Sequence, residues 1–419
     1  MKIAFHGGIR EIGGSCTTVE TRDAKISLDY GIKIGDNAQH DLPKDLDAVL
    51  ISHAHLDHTG SLLELTDSNV TIIGLEATRE ITAELLQDQI KVQQINDTTV
   101  PYDKNDVNKV KKLWWARRSS ALPGMEIQLY HAGHVLGASM ISIKTEEKTI
   151  LYTGDFCLHD TEILQGSPYT ELPKNPDVLI MESTYGGEIM PERTTLLQRF
   201  FSEIHRAMEK KGNILIPVFA FHRSQEMAKR IDEAMKLKAL PHYNVYYIST
   251  LGYKITKYFN RYKDLLKQEM QSEEEPFNYQ YVKRIHRIGQ INEPAIVICT
   301  SGFGHAGSSL QLLTEWAPDE RNTVIINTGY IPPDSPLNLA KEKGEFFKDG
   351  EKIDVKANIE HIELSGHADQ NELVELVKTL EPKQTFLVHG NLQHEKALST
   401  QIRKMTSVKI PEKSETFIV

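Results

Sequence analysis

Four side chains of the types that bind metal ions occur within six consecutive residues of the chain. The segment SHAHLDHTG, residues 52–60, contains His53, His55, Asp57 and His58. Imidazole and carboxylate groups are the usual nitrogen and oxygen ligands of zinc. A single histidine more often satisfies a backbone group in a polar loop. Three histidines and an aspartate at this spacing instead predict a metal site.

The neighbouring residues predict how this segment is held. The apolar run AVLI, residues 48–51, indicates a short buried strand because it lacks polar alternation. In an extended backbone alternate side chains point the same way, so His53, His55 and Asp57 would share one face. His58 breaks this period and precedes SLLEL, residues 61–65, which indicates the start of a helix.

Several other strand-like runs also end in a titratable residue, often followed by glycine. Layered α/β folds place their ligand sites at the C-terminal edge of the strands. One such ending alone is usually a cap or a turn, but their repetition along one chain predicts a shared site. The residues at these endings are Asp29, His131, His134, Asp155, Glu182, His367 and His389.

Composition excludes several classes of protein. The 419 residues predict two or three domains, and 40% hydrophobic with 25% charged residues is typical of a globular protein. The net charge of −10 argues against coating nucleic acid by charge alone, but it allows a local basic groove. Neither a membrane span nor a signal peptide is expected. Cys16, Cys157 and Cys299 are odd in number and far apart, which favours a reducing cytoplasm.

The motifs SHAHLDHTG, HVLGAS, YTGDF, MESTYG, SGHAD and LVHG together resemble those of a known family. In type and order they are similar to the metallo-β-lactamase-fold nucleases with a β-CASP insertion. The resemblance spans the whole chain and is strongest to the archaeal cleavage and polyadenylation specificity factor proteins, here in a short form without KH domains. The first motif alone indicates only the superfamily, whereas Glu182, His367 and His389 narrow the resemblance to nucleases.

The resemblance implies an α/β fold: an αββα sandwich with an inserted β-CASP domain. The chain pattern agrees, because strand-like and helix-like segments alternate from about residue 188 to 350, which predicts a parallel sheet with crossover helices. We therefore expect residues 1–187 to form the first part of the sandwich, residues 188–350 the insertion, and residues 351–419 the returning part. Residues 76–97 should include a helix.

The resemblance also implies a ligand set for two zinc ions per chain. One ion would be held by His53, His55 and His134. The second would be held by Asp57, His58 and His389, with Asp155 bridging the two. Nitrogen and oxygen ligands without a cysteine suit such a zinc pair. Asp29 would orient a ligand histidine, and His131, which matches no family ligand, is expected to be structural.

Phosphodiester hydrolysis fits this ligand set. Paired metals about 3.5–4 Å apart clamp the attacking and leaving oxygens of an in-line displacement and lower the pKa of bound water towards ~7. The catalytic residues would be Asp57, which is also a ligand, Glu182 and His367. His367 is the predicted general acid, because histidine carries a proton near neutral pH, and Glu182 would hold it.

A glycine-rich segment, GFGHAG at residues 302–307, follows a strand-like run and precedes a helix-like one. It fits the dinucleotide pattern, but the expected acidic residue about 20 positions on is missing. We interpret Gly302, Gly304 and Gly307 as a glycine turn that approaches an RNA phosphate at a helix N-terminus. The alternative is a turn with a structural role alone. Phe303 and His305 depart from the serine-glycine-methionine stretch usual in the family.

Basic segments give further candidate RNA contacts. Residues 109–118, 254–263 and 283–287 are rich in lysine and arginine. Each is either a solvated face or part of an RNA-binding cleft in which Trp114, Trp115 or a tyrosine stacks on bases. Arg223, at a predicted strand-to-helix turn, is the single best candidate for an RNA-backbone contact.

These patterns predict a zinc-dependent ribonuclease that acts on single-stranded RNA in processing or decay, as an endonuclease, a 5′→3′ exonuclease or both. A small-molecule metallohydrolase is disfavoured by the large insertion, and an RNA-binding scaffold by the complete ligand set. A DNA nuclease is disfavoured because such family members tend to have valine at the position of His389. The resemblance allows a homodimer and a role in an RNA-processing or exosome-type complex, with no membrane association.

Overall fold

The computed structural model describes residues 1–33, 42–95, 101–329 and 331–419. This part of the chain divides into two compact units. The first contains Met1–Met190, Asp264–Lys267 and Gly366–Val419, and the second contains Pro191–Lys263 and Gln268–Ser365.

Two mixed sheets form the centre of the first unit. The first sheet has the order β22-β1-β2-β3-β4-β5-β6. Its strands are β1 (Lys2–Gly7), β2 (Cys16–Glu20), β3 (Lys25–Leu28), β4 (Ala48–Leu50), β5 (Thr71–Gly74), β6 (Trp114–Ala116) and β22 (Thr416–Ile418). From β3 to β6 the neighbouring strands are parallel, so the C-terminal ends of β3 and β4 lie side by side.

The second sheet has the order β21-β20-β11-β10-β9-β8-β7. Its strands are β7 (Ser119–Leu122), β8 (Met125–His131), β9 (Ser139–Lys144), β10 (Thr149–Tyr152), β11 (Val178–Glu182), β20 (Gln384–Val388) and β21 (Ser407–Lys409). Strands β10, β11 and β20 are parallel neighbours. Their C-terminal ends, which precede or contain Asp155, Glu182 and His389, therefore meet at one edge.

Apolar side chains of the two sheets pack face to face. Their shared core includes Phe5, Ile26 and Leu50 from the first sheet, and Ile180 and Phe386 from the second. The rings of Phe5 and Phe386 lie 5.0 Å apart between centroids. Alternation of buried residues on β1 and β8 follows from this arrangement, because only one face of each strand reaches the core.

Helices cover the outer faces of both sheets. The helices of this unit are α1 (Leu56–Thr59), α2 (Glu76–Ile95), α3 (Lys104–Lys112), α10 (Gln370–Leu380) and α11 (Leu392–Ile402). A separate apolar cluster joins α2 and α3 to the first sheet through residues such as Ile72, Leu86 and Val107. The predicted αββα sandwich is confirmed. The helix predicted within residues 76–97 is α2, and residues 96 and 97 lie outside the described residues.

The second unit is built on a parallel sheet with the order β14-β13-β15-β12-β16-β19. Its strands are β12 (Ile214–Pro217), β13 (Asn244–Ile248), β14 (Val282–Arg284), β15 (Ala295–Cys299), β16 (Thr323–Ile326) and β19 (Asn358–His361). Its helices are α4 (Arg193–Glu209), α5 (Arg223–Lys236), α6 (Thr250–Arg261), α7 (Gln268–Gln271), α8 (Gly307–Trp316) and α9 (Pro336–Lys343). A hairpin of β17 (Glu345–Lys348) and β18 (Glu351–Asp354) completes it. The predicted parallel sheet is thus present.

The division between the units differs from the boundaries expected at residues 187 and 350. It falls after Met190 and again after Ser365. The later boundary lies beyond β19, because β19 pairs in parallel with β16 and so adds a strand to the second unit. Within the described residues, no helix is long and apolar enough to cross a membrane.

Candidate metal centre and active site

The first histidine motif changes direction immediately after β4. His53 and His55 follow the strand, but α1 begins at Leu56, so Asp57 and His58 lie on a helical turn. The prediction of an extended backbone through Asp57 is therefore wrong from Leu56 onward. The turn forms because the amides of His58 and Thr59 both donate to the carbonyl of His55, at 2.9 and 3.0 Å. The helix expected from residue 61 is only a 3₁₀ turn, Leu62–Leu65.

Residues 29–32 pack closely against α1. The amide of Tyr30 donates to the carbonyl of His58 at 2.8 Å, and the amide of Ile32 donates to that of Leu56 at 3.1 Å. Between them, a Cβ on Gly31 would lie 1.7 Å from the carbonyl oxygen of Asp57. Only glycine permits this approach, which fixes the turn that carries two of the candidate ligands.

One candidate ligand group consists of His53, His55, His134 and Asp155. His53 Nε2 and His134 Nε2 lie 3.0 and 3.3 Å from Nδ1 of His55. The Oδ2 atom of Asp155 lies 3.5 Å from His53 Nε2 and 3.7 Å from His134 Nε2. One atom from each residue thus faces a common point.

A second group consists of Asp57, His58 and His389. Asp57 Oδ2 lies 3.3 Å from His389 Nε2 and 3.8 Å from His58 Nε2. Asp155 is adjacent to this group as well, because its Oδ2 lies 3.4 Å from His58 Nε2 and its Oδ1 lies 3.3 Å from His389 Nδ1. The Asp155 carboxylate therefore stands between the two groups, as a bridging ligand must.

Buried hydrogen bonds hold the ligand side chains in place. The carboxylate of Asp29 accepts from the Ser52 amide and hydroxyl and from the Tyr152 hydroxyl, each at 2.7 Å, and Oδ2 also lies 2.7 Å from His58 Nδ1. Asp29 thus touches a candidate ligand, as its predicted orienting role requires. Similarly, His134 Nδ1 lies 2.8 Å from the Gly366 carbonyl oxygen, and Thr184 Oγ1 lies 3.2 Å from His389 Nδ1.

Sequence reasoning did not identify Ser52, Tyr152 or Thr184. Each is buried and touches a candidate ligand or Asp29. A signal was available for two of them, because Ser52 directly precedes the first motif and Thr184 follows Glu182 in MESTYG. Tyr152 carried no such signal, since a tyrosine at the end of an apolar strand is usually core.

The protonation properties of the cluster suit a cation. Burial lowers the pKa of His53 and His134 well below the ordinary histidine value, and that of His55 to about 4. Burial would also lower the pKa of His58, but the carboxylates of Asp155, Asp57 and Asp29 raise it well above that value. Neutral imidazole is the form that binds metal, and the carboxylates supply the compensating negative charge.

Buried polar atoms that lack a well-formed hydrogen bond indicate whether a metal fits this cluster. Among the described residues, the buried His58 Nε2 and Asp155 Oδ1 have no partner in good hydrogen-bond geometry, although each lies 3.4 or 3.3 Å from another candidate ligand. Both atoms face the candidate ligand groups, and buried polar atoms ordinarily have partners. The donor set contains only imidazole and carboxylate, which zinc accepts. The residues therefore fit a metal ion, and the chemistry of the cluster is that of a metal-binding site.

Beside the ligand groups, Glu182 and His367 form a pair, and an oxygen of Glu182 also lies within 4.8 Å of ligand atoms of Asp155 and His389. His367 Nδ1 lies 2.9 Å from Oε2 and 3.1 Å from Oε1 of the Glu182 carboxylate. Glu182 is 1% exposed and His367 is 19% exposed, so the carboxylate is sealed while the imidazole reaches solvent. The Phe156 amide also donates to Glu182 Oε1 at 2.7 Å. The ring of His367 lies 4.4 Å from that of His134, next to the candidate metal groups.

The structure separates His131 from the cluster. Its Nε2 lies 2.8 Å from the carbonyl oxygen of Gln165, and burial lowers its pKa. This contact agrees with a structural role. Some predicted RNA contacts lie in the second unit: Arg223 begins α5, Gly302 and Gly304 lie between β15 and α8, and Gly307 begins α8. Trp114 and Trp115 lie on β6 of the first unit.

The fold and site together define a metallo-hydrolase of the metallo-β-lactamase class, and sequence comparisons agree. Three family models match consecutive parts of the chain. Residues 12–184 match the metallo-beta-lactamase superfamily, residues 224–336 the Beta-Casp domain, and residues 352–411 the Zn-dependent metallo-hydrolase RNA specificity domain. The Beta-Casp match lies within the insertion predicted at residues 188–350.

Curated relatives show the same relationship. The probable RNase MJ4 of Methanocaldococcus jannaschii is 31% identical, with 93% of each chain covered. The Dictyostelium discoideum cleavage and polyadenylation specificity factor subunit 3 is 29% identical over 93% of this chain, which spans only 53% of that protein. Integrator complex subunit 11 of Danio rerio is 30% identical, with 99% of this chain and 74% of that protein covered.

The chain therefore belongs to the β-CASP family of metallo-β-lactamase-fold proteins, and the predicted resemblance is confirmed. A crystal structure of a protein of unknown function from Enterococcus faecalis V583 has the same fold, with a TM-score of 0.61 and 17% identity. The alignment covers 100% of this chain and 99% of that one. At this identity the likeness shows the fold alone.

Proposed function

We propose that this protein is a zinc-dependent ribonuclease that hydrolyses phosphodiester bonds of single-stranded RNA. The observation that carries the proposal is the Glu182–His367 pair beside two ligand groups that both contact Asp155. A scaffold protein needs neither a cation cluster nor an acid next to it. The printed names of the relatives, a probable RNase and a cleavage factor subunit, support RNA as the substrate.

Two zinc ions per chain would occupy the ligand groups. His53, His55 and His134 would hold one. Asp57, His58 and His389 would hold the other, with Asp155 shared. When bound, such a pair supplies an activated water and positive charge for the phosphate oxygens. Asp29 would keep His58 oriented, because ligand histidines depend on the partner of their second ring nitrogen.

The remaining chemistry falls to this chain's own side chains. In hydrolysis, a water oxygen bonds to phosphorus and the bond from phosphorus to the 3′-oxygen breaks. His367 donates a hydrogen bond to Glu182 through Nδ1. Its other ring nitrogen, Nε2, would therefore deliver the proton to the departing 3′-oxygen. Glu182 stabilises the charged imidazole and fixes its ring plane. The products are a 3′-hydroxyl and a 5′-phosphate.

Bases of the RNA would contact aromatic side chains of the second unit. Phe219 and Phe303 follow β12 and β15, which are adjacent parallel strands, so both lie at the C-terminal edge of that sheet. Their rings form an edge-to-face pair with centroids 5.0 Å apart, and Phe219 is 38% exposed. Stacking on such rings is tolerant of base identity. The neighbouring N-terminus of α8, at Gly307, would attract a phosphate.

Two of the other predicted RNA contacts, Arg223 and Trp114, are less exposed than Phe219. The guanidinium of Arg223 is 13% exposed and forms an ion pair with the buried Glu226, so this residue is already engaged. Trp114 is 5% exposed and packs in the core, whereas Trp115 is 53% exposed with Arg117 over its ring. Of the two tryptophans, only Trp115 could stack on a base.

The decisive experiment uses 5′-end-labelled RNA that carries a monophosphate or a triphosphate. Internal fragments from both substrates would indicate an endonuclease, and immediate release of mononucleotides from the monophosphate alone would indicate a 5′→3′ exonuclease. No cleavage by the zinc-loaded protein would refute the ribonuclease proposal. Turnover of small esters or lactams without RNA cleavage would instead support a small-molecule hydrolase.

Partners and compartment complete the proposal. Two relatives are named as subunits of complexes, which supports a place in an RNA-processing complex. A homodimer is proposed from the family resemblance and is tested by light scattering of the purified protein. The three cysteines are buried and outside disulfides, which supports a reducing cytoplasm.

A further inference from the structure

A second type of metal-ligating cluster lies in the first unit, outside the residues assigned above. Cys157, His159 and Glu372 each direct one ligand atom into a common space, and these atoms lie within 4.8 Å of one another. The same distance bounds the atoms of the candidate zinc groups. This cluster differs from those groups in one respect that can be measured, because it contains a thiol.

We propose that Cys157, His159 and Glu372 bind a third zinc ion, with water completing the shell. Zinc accepts sulfur, nitrogen and oxygen ligands, and its bonds of about 2.0–2.3 Å require only small movements of these atoms. His159 Nδ1 already lies 3.0 Å from Glu372 Oε1, as neighbouring ligands of one ion do. His159 is 37% exposed, so water can reach the remaining position.

The unused oxygen of Glu372 supports a cation here. An ion pair with His159 employs only Oε1, while the buried Oε2 forms no hydrogen bond with any described residue. Cys157 is fully buried and directs its sulfur to the His159 backbone, 3.2 Å from that carbonyl oxygen. A zinc ion would take up both the carboxylate and the thiolate, and the thiol proton would pass to solvent.

The cluster joins two segments that carry active-site residues. Cys157 lies two positions after Asp155, and Glu372 lies in the first turn of α10, shortly after His367. Between them the Ala368 amide donates to the Phe156 carbonyl at 2.7 Å. A zinc ion would reinforce this connection and hold the bridging carboxylate and the proposed acid in fixed relation. Its role is positional and independent of whether the substrate is RNA.

Cobalt substitution tests the proposal directly. The metal-free protein is loaded with Co²⁺, and the near-ultraviolet region is examined for thiolate-to-cobalt charge transfer. The two groups assigned above contain no thiolate, so this band reports only on a cysteine-containing site. We expect the band in the wild type and its loss in Cys157→Ser. Zinc analysis should give three ions per chain in the wild type and two in the variant.

Matched variants separate this site from other cysteines and from misfolding. Cys299→Ala changes another buried cysteine, and Glu375→Gln changes another acidic residue of α10; both should retain the band and three zinc ions. Glu372→Gln should lose the third ion even if Cys157→Ser fails to fold. A wild type without the band at saturating cobalt, or a band that survives Cys157→Ser, would overturn the proposal. Failure to cleave RNA would leave this result unaffected.

Discussion

Both carboxylate oxygens of Glu182 lie within hydrogen-bonding distance of a single imidazole nitrogen, Nδ1 of His367, at 3.1 and 2.9 Å. Glu182 belongs to β11 and His367 to the segment before α10, 185 positions later. The carboxylate is buried and the imidazole is partly exposed. An acid that meets a substrate must be reachable, whereas the group that holds it is most effective in a low-dielectric environment.

Changing His367 to alanine should therefore slow RNA cleavage and leave both proposed zinc ions in place. Positioned acid–base catalysis contributes on the order of 10²–10⁴-fold, so kcat should fall by about that factor. Single-turnover cleavage and elemental analysis check the two parts. His242→Ala, at an exposed position, serves as the control. If the His367 variant loses zinc, His367 is a ligand, and if it keeps full activity, the proton has another source.

Glu182→Gln should reproduce much of this loss without unfolding the protein. Glutamine keeps an acceptor for the Phe156 amide, which otherwise would remain buried without a partner, but it cannot stabilise a charged imidazole. We expect a reduced kcat with little change in KM. Equal activity of this variant and the wild type would mean that the pair is only structural.

Changes at Asp155 and Asp29 should have graded effects on metal content. Asp155 contacts both ligand groups, so Asp155→Asn should lose both ions and the activity. Asp29 contacts only His58 among the ligands, and loss of such a contact typically costs 10–100-fold in metal affinity. Asparagine tolerates the positive φ of 57° at this position, so Asp29→Asn should remain folded.

Elemental analysis after dialysis against a weak chelator distinguishes these cases. The Asp29 variant should retain the ion held by His53, His55 and His134 and release the other first. Simultaneous loss of both ions would contradict the independent assignment of the two groups. Retention of both ions in the Asp155 variant would contradict the bridging assignment.

Phe303→Ala should weaken binding of single-stranded RNA. One stacked base contributes about 1–3 kcal/mol, so Kd should rise about 5- to 150-fold while kcat at saturation changes little. Gly302→Ala should act in the same direction, because a Cβ there would lie 2.9 Å from the Phe219 ring and displace it. Fluorescence anisotropy with labelled RNA measures both. Phe347→Ala, at an exposed position of β17, is the control, and equal affinity of all variants would exclude the aromatic pair.

Glu395 should make folding stability depend on pH. Burial raises its pKa to about 7. The hydrogen bond that Glu395 accepts from the Arg10 amide lowers the pKa, but it offsets the effect of burial only in part. The folded state therefore holds the proton longer than the unfolded state, whose glutamate has a pKa near 4.5. The contribution of Glu395 to the free energy of unfolding is constant below pH 4.5. It declines as the pH rises from there towards about 7, and it is constant again at higher pH. At about 1.4 kcal/mol per pKa unit, the decline amounts to a few kcal/mol.

Glu395→Gln should remove this decline, since glutamine has no charge to bury. Urea unfolding of the wild type and the variant at pH 5 and pH 8, with equal metal content, measures the difference. The variant should gain stability relative to the wild type at the higher pH. An identical pH dependence of the two proteins would mean that Glu395 is ionised without cost in the folded state.

The sequence by itself determined the parts of the site that depend on local order. His53, His55, Asp57 and His58 are close in space because they are close in the chain, and the apolar run before them predicts a buried strand. The alternation of strands and helices also predicts the parallel sheet of the second unit. The turn at Leu56 was missed because one helical turn has no periodicity to detect.

Only the tertiary structure decided which distant residues meet. His389 lies beside Asp155 because β20, β11 and β10 run parallel in one register, and sheet register depends on packing against the rest of the core. The same register and the segment before α10 bring His367 to Glu182. Cys157, His159 and Glu372 carried no motif at all, since a pairing across more than two hundred positions leaves no local pattern. Their proximity exists only once the two sheets and α10 have packed.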